Sequence, residues 1–120
     1  MTEAFVDTSF VIALINKSDQ YHNQALQLAA RFDKRPVVTT DAVLLEIGNA
    51  LARNFKAQSV RIIEHFVNSD EVHVISLNPE LFRRAFQLYR THEDKAWGLV
   101  DCISFTVMKD LKMKQSLTAG

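Results

Sequence analysis

Apolar positions along the chain come in short bursts whose spacing changes from segment to segment. Ala4-Phe5-Val6 is brief and β-prone, and it ends at Asp7. Phe10 to Ile15 is a continuous apolar run that periodicity alone does not assign. A short strand followed by a buried helix is the preferred division, with Thr8 or Ser9 available as N-cap. From Tyr21 to Phe32, Ala25, Leu28, Ala29 and Phe32 recur at helical spacing. Pro36-Val37-Val38-Thr39 reads as a second strand. Thr40 or Asp41 can cap the helix after it, which carries Val43, Leu44, Ile47, Ala50 and Leu51. Val60, Ile63, Phe66 and Val67 mark another helix, and EVHVISL, residues 71–77, has strand character.

Asn78-Pro79-Glu80 is a strong helix start: a capping residue, proline at the first helical position and an acid in the first turn. Leu81, Phe82, Ala85, Phe86, Leu88 and Tyr89 then form a wide apolar stripe. Gly98 lies in a break before a helix over Leu99 to Leu111, and QSLTAG begins one more strand. The order is therefore β-α-α-β-α-α-β-α-α-(β). Strands separated by helices require crossover connections and a mostly parallel sheet. In such sheets the functional crevice lies beyond the carboxyl ends of the strands, and Asp7 stands at the end of the first.

Composition narrows the class. A chain of 120 residues, 48% apolar with three Gly and two Pro, suits one folded domain with a real core. Fourteen basic side chains balance fourteen acidic ones, so net charge makes no case for a nucleic-acid partner and none against a local basic patch. A single cysteine, Cys102, forms no internal disulfide and fits a reducing compartment. No apolar run reaches the roughly 18 residues of a membrane span, and acidic Glu3 without a basic n-region argues against a signal peptide. The expectation is a cytoplasmic protein with no membrane partner.

Three acids interrupt apolar segments. Asp7 follows a strand; it either caps the next helix or is left for chemistry if Thr8 or Ser9 does the capping. Glu46, in DAVLLEIGNAL, lies at the margin of a buried face or on a solvated edge. Asp101, in WGLVDCISFTVM, falls in the first turn of an apolar helix, where a helix N-terminus favours an anion. Asp41 reads most simply as a cap and Asp110, flanked by Lys109 and Lys112, as a surface acid. Clustered carboxylates repel one another unless a hard cation holds them, and Mg²⁺ and Mn²⁺ prefer such oxygen ligands. Water activation and charge stabilisation at a phosphoryl group are the chemistry they support. Spacing does not by itself bring Asp7, Glu46 and Asp101 together.

Other chemistry has less support. His22, His65, His73 and His92 lack metal-ligand spacing, and Cys102 reads as a buried, inert thiol. There is no P-loop and no G-x-G-x-x-G. Trp97 and Tyr89 could stack on bases, although packing is the simpler reading. Haloacid-dehalogenase-like phosphatases use Asp-x-Asp after the first strand, and position 9 here is Ser. A receiver domain needs an acidic pair where only Asp7 is found.

FVDTSFVIALIN, VTTDAVLLEIGNAL, DKAWGLVDCISFTVMKDL and SLTAG together resemble, in order and approximate spacing, the PIN domain. The likeness is to its small single-domain bacterial and archaeal type, which includes the toxins of VapBC toxin–antitoxin pairs, and runs from about Phe5 to Thr118. The resemblance implies a three-layer α/β/α sandwich with a mostly parallel central sheet. It implies a Mg²⁺- or Mn²⁺-dependent endoribonuclease with an RNA substrate, an antitoxin partner and a homodimer. It maps the catalytic and metal-binding acids to Asp7, Glu46 and Asp101, with Thr8 and Ser9 as supporting hydroxyls. Arg53, Lys56 or Lys95 would hold flanking phosphates. The family pattern commonly continues with a threonine, a variable residue, a fourth acid and a last strand. Here Leu117-Thr118-Ala119 is followed by Gly120. The expectation is thus a single PIN-like domain over residues 1–120, apparently truncated at its C-terminus. Its last strand would be missing or incomplete and its activity lowered by the absent acid. The alternative is a catalytically weak or inactive PIN scaffold that binds RNA or a partner protein.

Overall fold

The structure is a computed structural model that describes residues 3–113 and 116–117. Ten elements follow one another: β1 (Ala4–Val6), α1 (Thr8–Ile15), α2 (His22–Arg31), β2 (Val37–Thr40), α3 (Asp41–Leu51), α4 (Lys56–Asn68), β3 (Val72–Ile75), α5 (Pro79–Thr91), α6 (Leu99–Asp110) and β4 (Ser116–Leu117). The expected order of strands and helices is present. Element ends move by a few residues: β2 includes Thr40, β3 is shorter than residues 71–77, and α4 begins at Lys56, ahead of its first periodic apolar position. The last strand, expected to be missing or incomplete, is represented by Ser116–Leu117, which pair with β1. The expectations for Thr118, Ala119 and Gly120 lie outside the described residues.

The four strands are all parallel, in the order β3-β2-β1-β4. Register sets Ala4 beside Val37 and Val37 beside Val72, while Val6 pairs with Leu117. The pleat alternation then sends Val6, Val37, Val72 and Leu117 to one face. There they share an apolar space with Val11 of α1, Phe32 just after α2 and Phe66 of α4. Ile75 points to the other face and meets Leu81 of α5 and Val107 of α6. This division follows from chirality. The first two crossovers step the same way across the sheet and the third steps back, so right-handed connections place the last helical pair on the opposite side. The expected α/β architecture, a parallel sheet flanked by helices, is the one observed.

Strands this short hold because both faces are covered. Phe5, Val38, Val43 and Ile47 are fully buried. Burying such side chains contributes roughly 1.5–3 kcal/mol each. Thr39, also fully buried, donates its hydroxyl to the Val6 carbonyl at 3.0 Å, tying β2 to the carboxyl end of β1. Helix starts follow their capping residues. Thr40 accepts from the Val43 N–H at 3.1 Å, and Asn78 accepts from the Leu81 N–H at 2.8 Å with Pro79 at the first helical position. Asp41 is not the cap; its Oδ1 accepts from the Leu77 N–H at 2.9 Å and so fastens the start of α3 to the segment after β3.

On α5, Leu81 and Ala85 are buried, whereas Phe82, Phe86 and Tyr89 remain more than 40% exposed. Their rings form a ladder with centroids 6.3 and 6.4 Å apart. Most of α6 is covered, with Cys102, Ile103, Ser104, Thr106 and Val107 buried. No helix among the described residues is long and apolar enough to cross a membrane.

Candidate active site

The parallel sheet brings Asp7 to the carboxyl end of β1, where the chain turns directly into α1. Asp7 is itself the N-cap: its Oδ1 accepts from the Thr8 N–H at 2.8 Å, and the Ser9 hydroxyl donates to Oδ2 at 3.3 Å. Its own N–H donates to the Leu117 carbonyl at 3.0 Å, so the short β4 helps hold this corner. The expectation that Thr8 or Ser9 would cap α1 is thus corrected. An Asp in extended conformation immediately before the helix reaches the first free N–H, and the hydroxyls fall one or two positions too late. Both oxygens of Asp7 are aimed, and the side chain is half-buried. The Thr8 hydroxyl is buried and has no hydrogen-bond partner among the described residues.

Glu46 sits midway along α3, between fully buried Ile47 and Leu45, which is 70% exposed. The helix therefore rolls from core to solvent across this residue, and Glu46 is half-buried on the margin. No ion pair holds it among the described residues. Asp101 occupies the third position of α6, also half-buried. Its Oδ2 accepts from the Gly98 N–H at 2.9 Å, a cap from within the first turn. Gly98 is the N-cap residue; the acid three positions later is the sequence signal for it. Asp7 stands just before α1, Glu46 on α3 and Asp101 on α6, and α3 packs against both α1 and α6.

Neighbouring groups define what the site is not. Burial pushes the Cys102 thiol up from its usual range, and the adjacent Asp101 charge pushes the same way, which keeps it protonated and inert. His22 and His92 each direct Nδ1 to a backbone carbonyl, those of Ala13 and Leu88. Asp110, read from sequence as a plain surface acid, is held by Arg84 from α5; the guanidinium keeps its carboxyl below the usual range. Arg53 and Lys56 are exposed around the α3–α4 turn, and Lys95 is exposed with its Nζ 6.0 Å from the Trp97 ring.

Among the described residues, no three His, Cys, Asp or Glu side chains are gathered so as to hold a metal ion. A closed protein cage is therefore not what these acids form. The donor set, carboxylate oxygens only, fits in kind a hard divalent cation, which keeps several waters and takes one or two carboxylates.

A family model described as PIN domain matches residues 4–118. The chain is 34% identical over 106 residues to the 23S rRNA-specific endonuclease VapC20 of Mycobacterium tuberculosis, in strains CDC 1551 / Oshkosh and ATCC 25618 / H37Rv. That match covers 88% of this chain and 79% of the relative. The crystal structure of Mycobacterium tuberculosis VapC20, described as a sarcin-ricin loop cleaving toxin, superimposes with a TM-score of 0.88 and 27% identity. It covers 98% of this chain and 90% of that one. A chain from a toxin–antitoxin complex of Klebsiella pneumoniae gives a TM-score of 0.62 at 15% identity, covering 94% of this chain and 83% of that one, a likeness of fold alone.

Proposed function

The chain belongs to the PIN domain family, and we propose that it acts within it as a metal-dependent endoribonuclease, the toxin of a toxin–antitoxin pair. The family is one of divalent-metal-dependent nucleases. Here Asp7, Glu46 and Asp101 are the residues that would hold Mg²⁺ or Mn²⁺, with Thr8 and Ser9 in support. Bound there, the ion supplies activation of water and stabilisation of charge on the scissile phosphate. The chain's own residues set the geometry. The Thr8 N–H and Ser9 hydroxyl fix the two oxygens of Asp7. The Gly98 N–H fixes one oxygen of Asp101, and the other would serve as the ligand. Fixing the ligands in advance removes rotamer freedom that would otherwise be lost on binding.

The observation that carries this reading is the family match across residues 4–118, together with half-buried acids at all three expected positions. The relative named for 23S rRNA makes ribosomal RNA the first substrate class to test. The domain is taken to span residues 1–120 and to act in the cytoplasm. It would pair with an antitoxin whose Arg or Lys faces Asp7 and Asp101, and form a homodimer through the exposed ladder on α5. The test is cleavage of ribosomal RNA with Mn²⁺, with chelator, and with Asp7→Asn. Metal-dependent cleavage lost in the variant is the expected result; equal cleavage by both chains would overturn the site assignment. A second reading, a PIN scaffold of little activity that binds RNA or protein, is favoured by the lack of a three-acid cluster among the described residues. RNA binding without cleavage under any divalent ion would establish it instead.

A further inference from the structure

The antiparallel helices α5 and α6 leave a cleft of about 580 Å³ between them, within the size range of small-ligand sites. Trp97 forms one wall. Its ring meets Phe105 edge-on at 5.1 Å and tilts against His92 at 5.3 Å, a stack that keeps the indole fixed yet partly exposed. Gln87 and Lys109 also line the cleft, and no acid does so among the described residues. Lys109 is exposed and makes no ion pair among them. Arg90 donates to the Gln87 side-chain Oε1 at 2.6 Å, which leaves the side-chain amide N–H groups as donors. Arg84 lines the cleft as well, with its charge matched by Asp110, so Lys109 is the lining cation left over. In a chain of zero net charge, that cation beside fixed aromatic rings is a local concentration, suited to an anion with a flat ring.

A neighbouring cleft links it toward one of the candidate acids, Asp101. Trp97 and His92 line a second cleft, of about 630 Å³, which reaches Gly98 and whose charged lining residues are Arg90, Lys95 and one acid, Glu93. The Gly98 N–H is the group that holds Asp101. A strand lying across Trp97 therefore leads from the first cleft toward Asp101. We infer that the α5–α6 cleft is a nucleobase subsite for single-stranded RNA: one base stacks at Trp97, Gln87 meets its edge, and Lys109 takes the neighbouring phosphate. The inference rests on the ribonuclease reading. Stacking on an aromatic side chain is sequence-tolerant, so the subsite would position the strand rather than read many bases.

Trp97 is the chain's single tryptophan, so its intrinsic fluorescence reports on the subsite directly. The experiment titrates the full chain with a hexauridylate in chelator, where cleavage is absent, and follows the anisotropy of a labelled hexamer in parallel. Saturable quenching that tracks the anisotropy is expected. Trp97→Ala should weaken binding roughly tenfold. Lys109→Gln, an exposed change that does not touch the core, should weaken it several-fold at low salt, the difference fading as salt rises. RNA binding with silent fluorescence and an unaffected Lys109→Gln variant would overturn the subsite, even if the wild-type chain cleaves RNA. Quenching by an acidic oligoglutamate but not by RNA would overturn it in favour of a protein partner. Quenching by RNA in a chain that never cleaves it would support the subsite while removing the nuclease reading.

Discussion

Arg84 grips Asp110 with both arms of its guanidinium, two hydrogen bonds of 2.7 Å that join α5 to α6. The residues lie 26 positions apart, and their fork-to-fork geometry is the strongest arrangement an Arg–carboxylate pair can take. Both side chains are more than a third exposed, so water and salt screen much of the attraction.

The pair predicts a pH signature. The guanidinium holds the folded-state pKa of Asp110 below its ordinary value. A depressed carboxylate contributes stability that is present above its unfolded-state pKa and is lost as pH falls through the folded one. Asp110→Asn should therefore be modestly less stable than wild type near pH 7, and the two should converge in acid, below about pH 4. Urea midpoints measured across pH and at two salt concentrations check this. A gap that persists unchanged at low pH would show that packing rather than charge joins the helices.

Asp7 carries two separable duties, capping and chemistry. Asn caps a helix as well as Asp does, whereas Ala costs about 1 kcal/mol (range 0.5–2). Asp7→Asn should leave unfolding free energy within a few tenths of a kcal/mol of wild type while metal-dependent cleavage falls on the order of a hundredfold or more. Asp7→Ala should lose both. Paired denaturation and cleavage assays separate the effects.

Metal binding should be weak and dominated by one ion. A hard cation here relies on waters as well as carboxylates, since no three acids close around it among the described residues. Calorimetric titration with Mn²⁺ should give roughly one site, and Glu46→Gln or Asp101→Asn should each weaken it about tenfold or more. Asn at position 101 can still accept the Gly98 N–H, so its loss of binding is not a loss of the cap. Unchanged affinity in either variant would remove that residue from the ligand set.

The aromatic ladder of α5 is the predicted self-association surface. Phe82, Phe86 and Tyr89 lie one helical turn apart on one exposed face. Phe86→Glu should raise the dimer dissociation constant at least about tenfold, since aromatic anchors dominate interfaces. Sedimentation velocity at micromolar concentration is the measurement. A wild-type chain that stays monomeric there would remove the dimer.

Local features were legible in the order of residues because they are written in local physics. The Asn78-Pro79-Glu80 start was readable because capping involves the next three residues only. The β-α-α repeat was readable because apolar spacing reports which face of an element is buried. Candidate acids were readable because each interrupts an apolar run, and their grouping as a set came from resemblance to a family. What tertiary structure decided are relationships between distant positions. Asp110 became a bidentate partner of Arg84 only because α5 and α6 run antiparallel. Asp41 became a strap for Leu77, not a cap, because β2 and β3 are neighbours that end together. Asp7 took the cap itself because it is the single residue between the strand and the helix. Strand order and the side of the sheet each helix covers depend on crossover direction and handedness, a property of the whole chain path that no window of neighbouring residues contains.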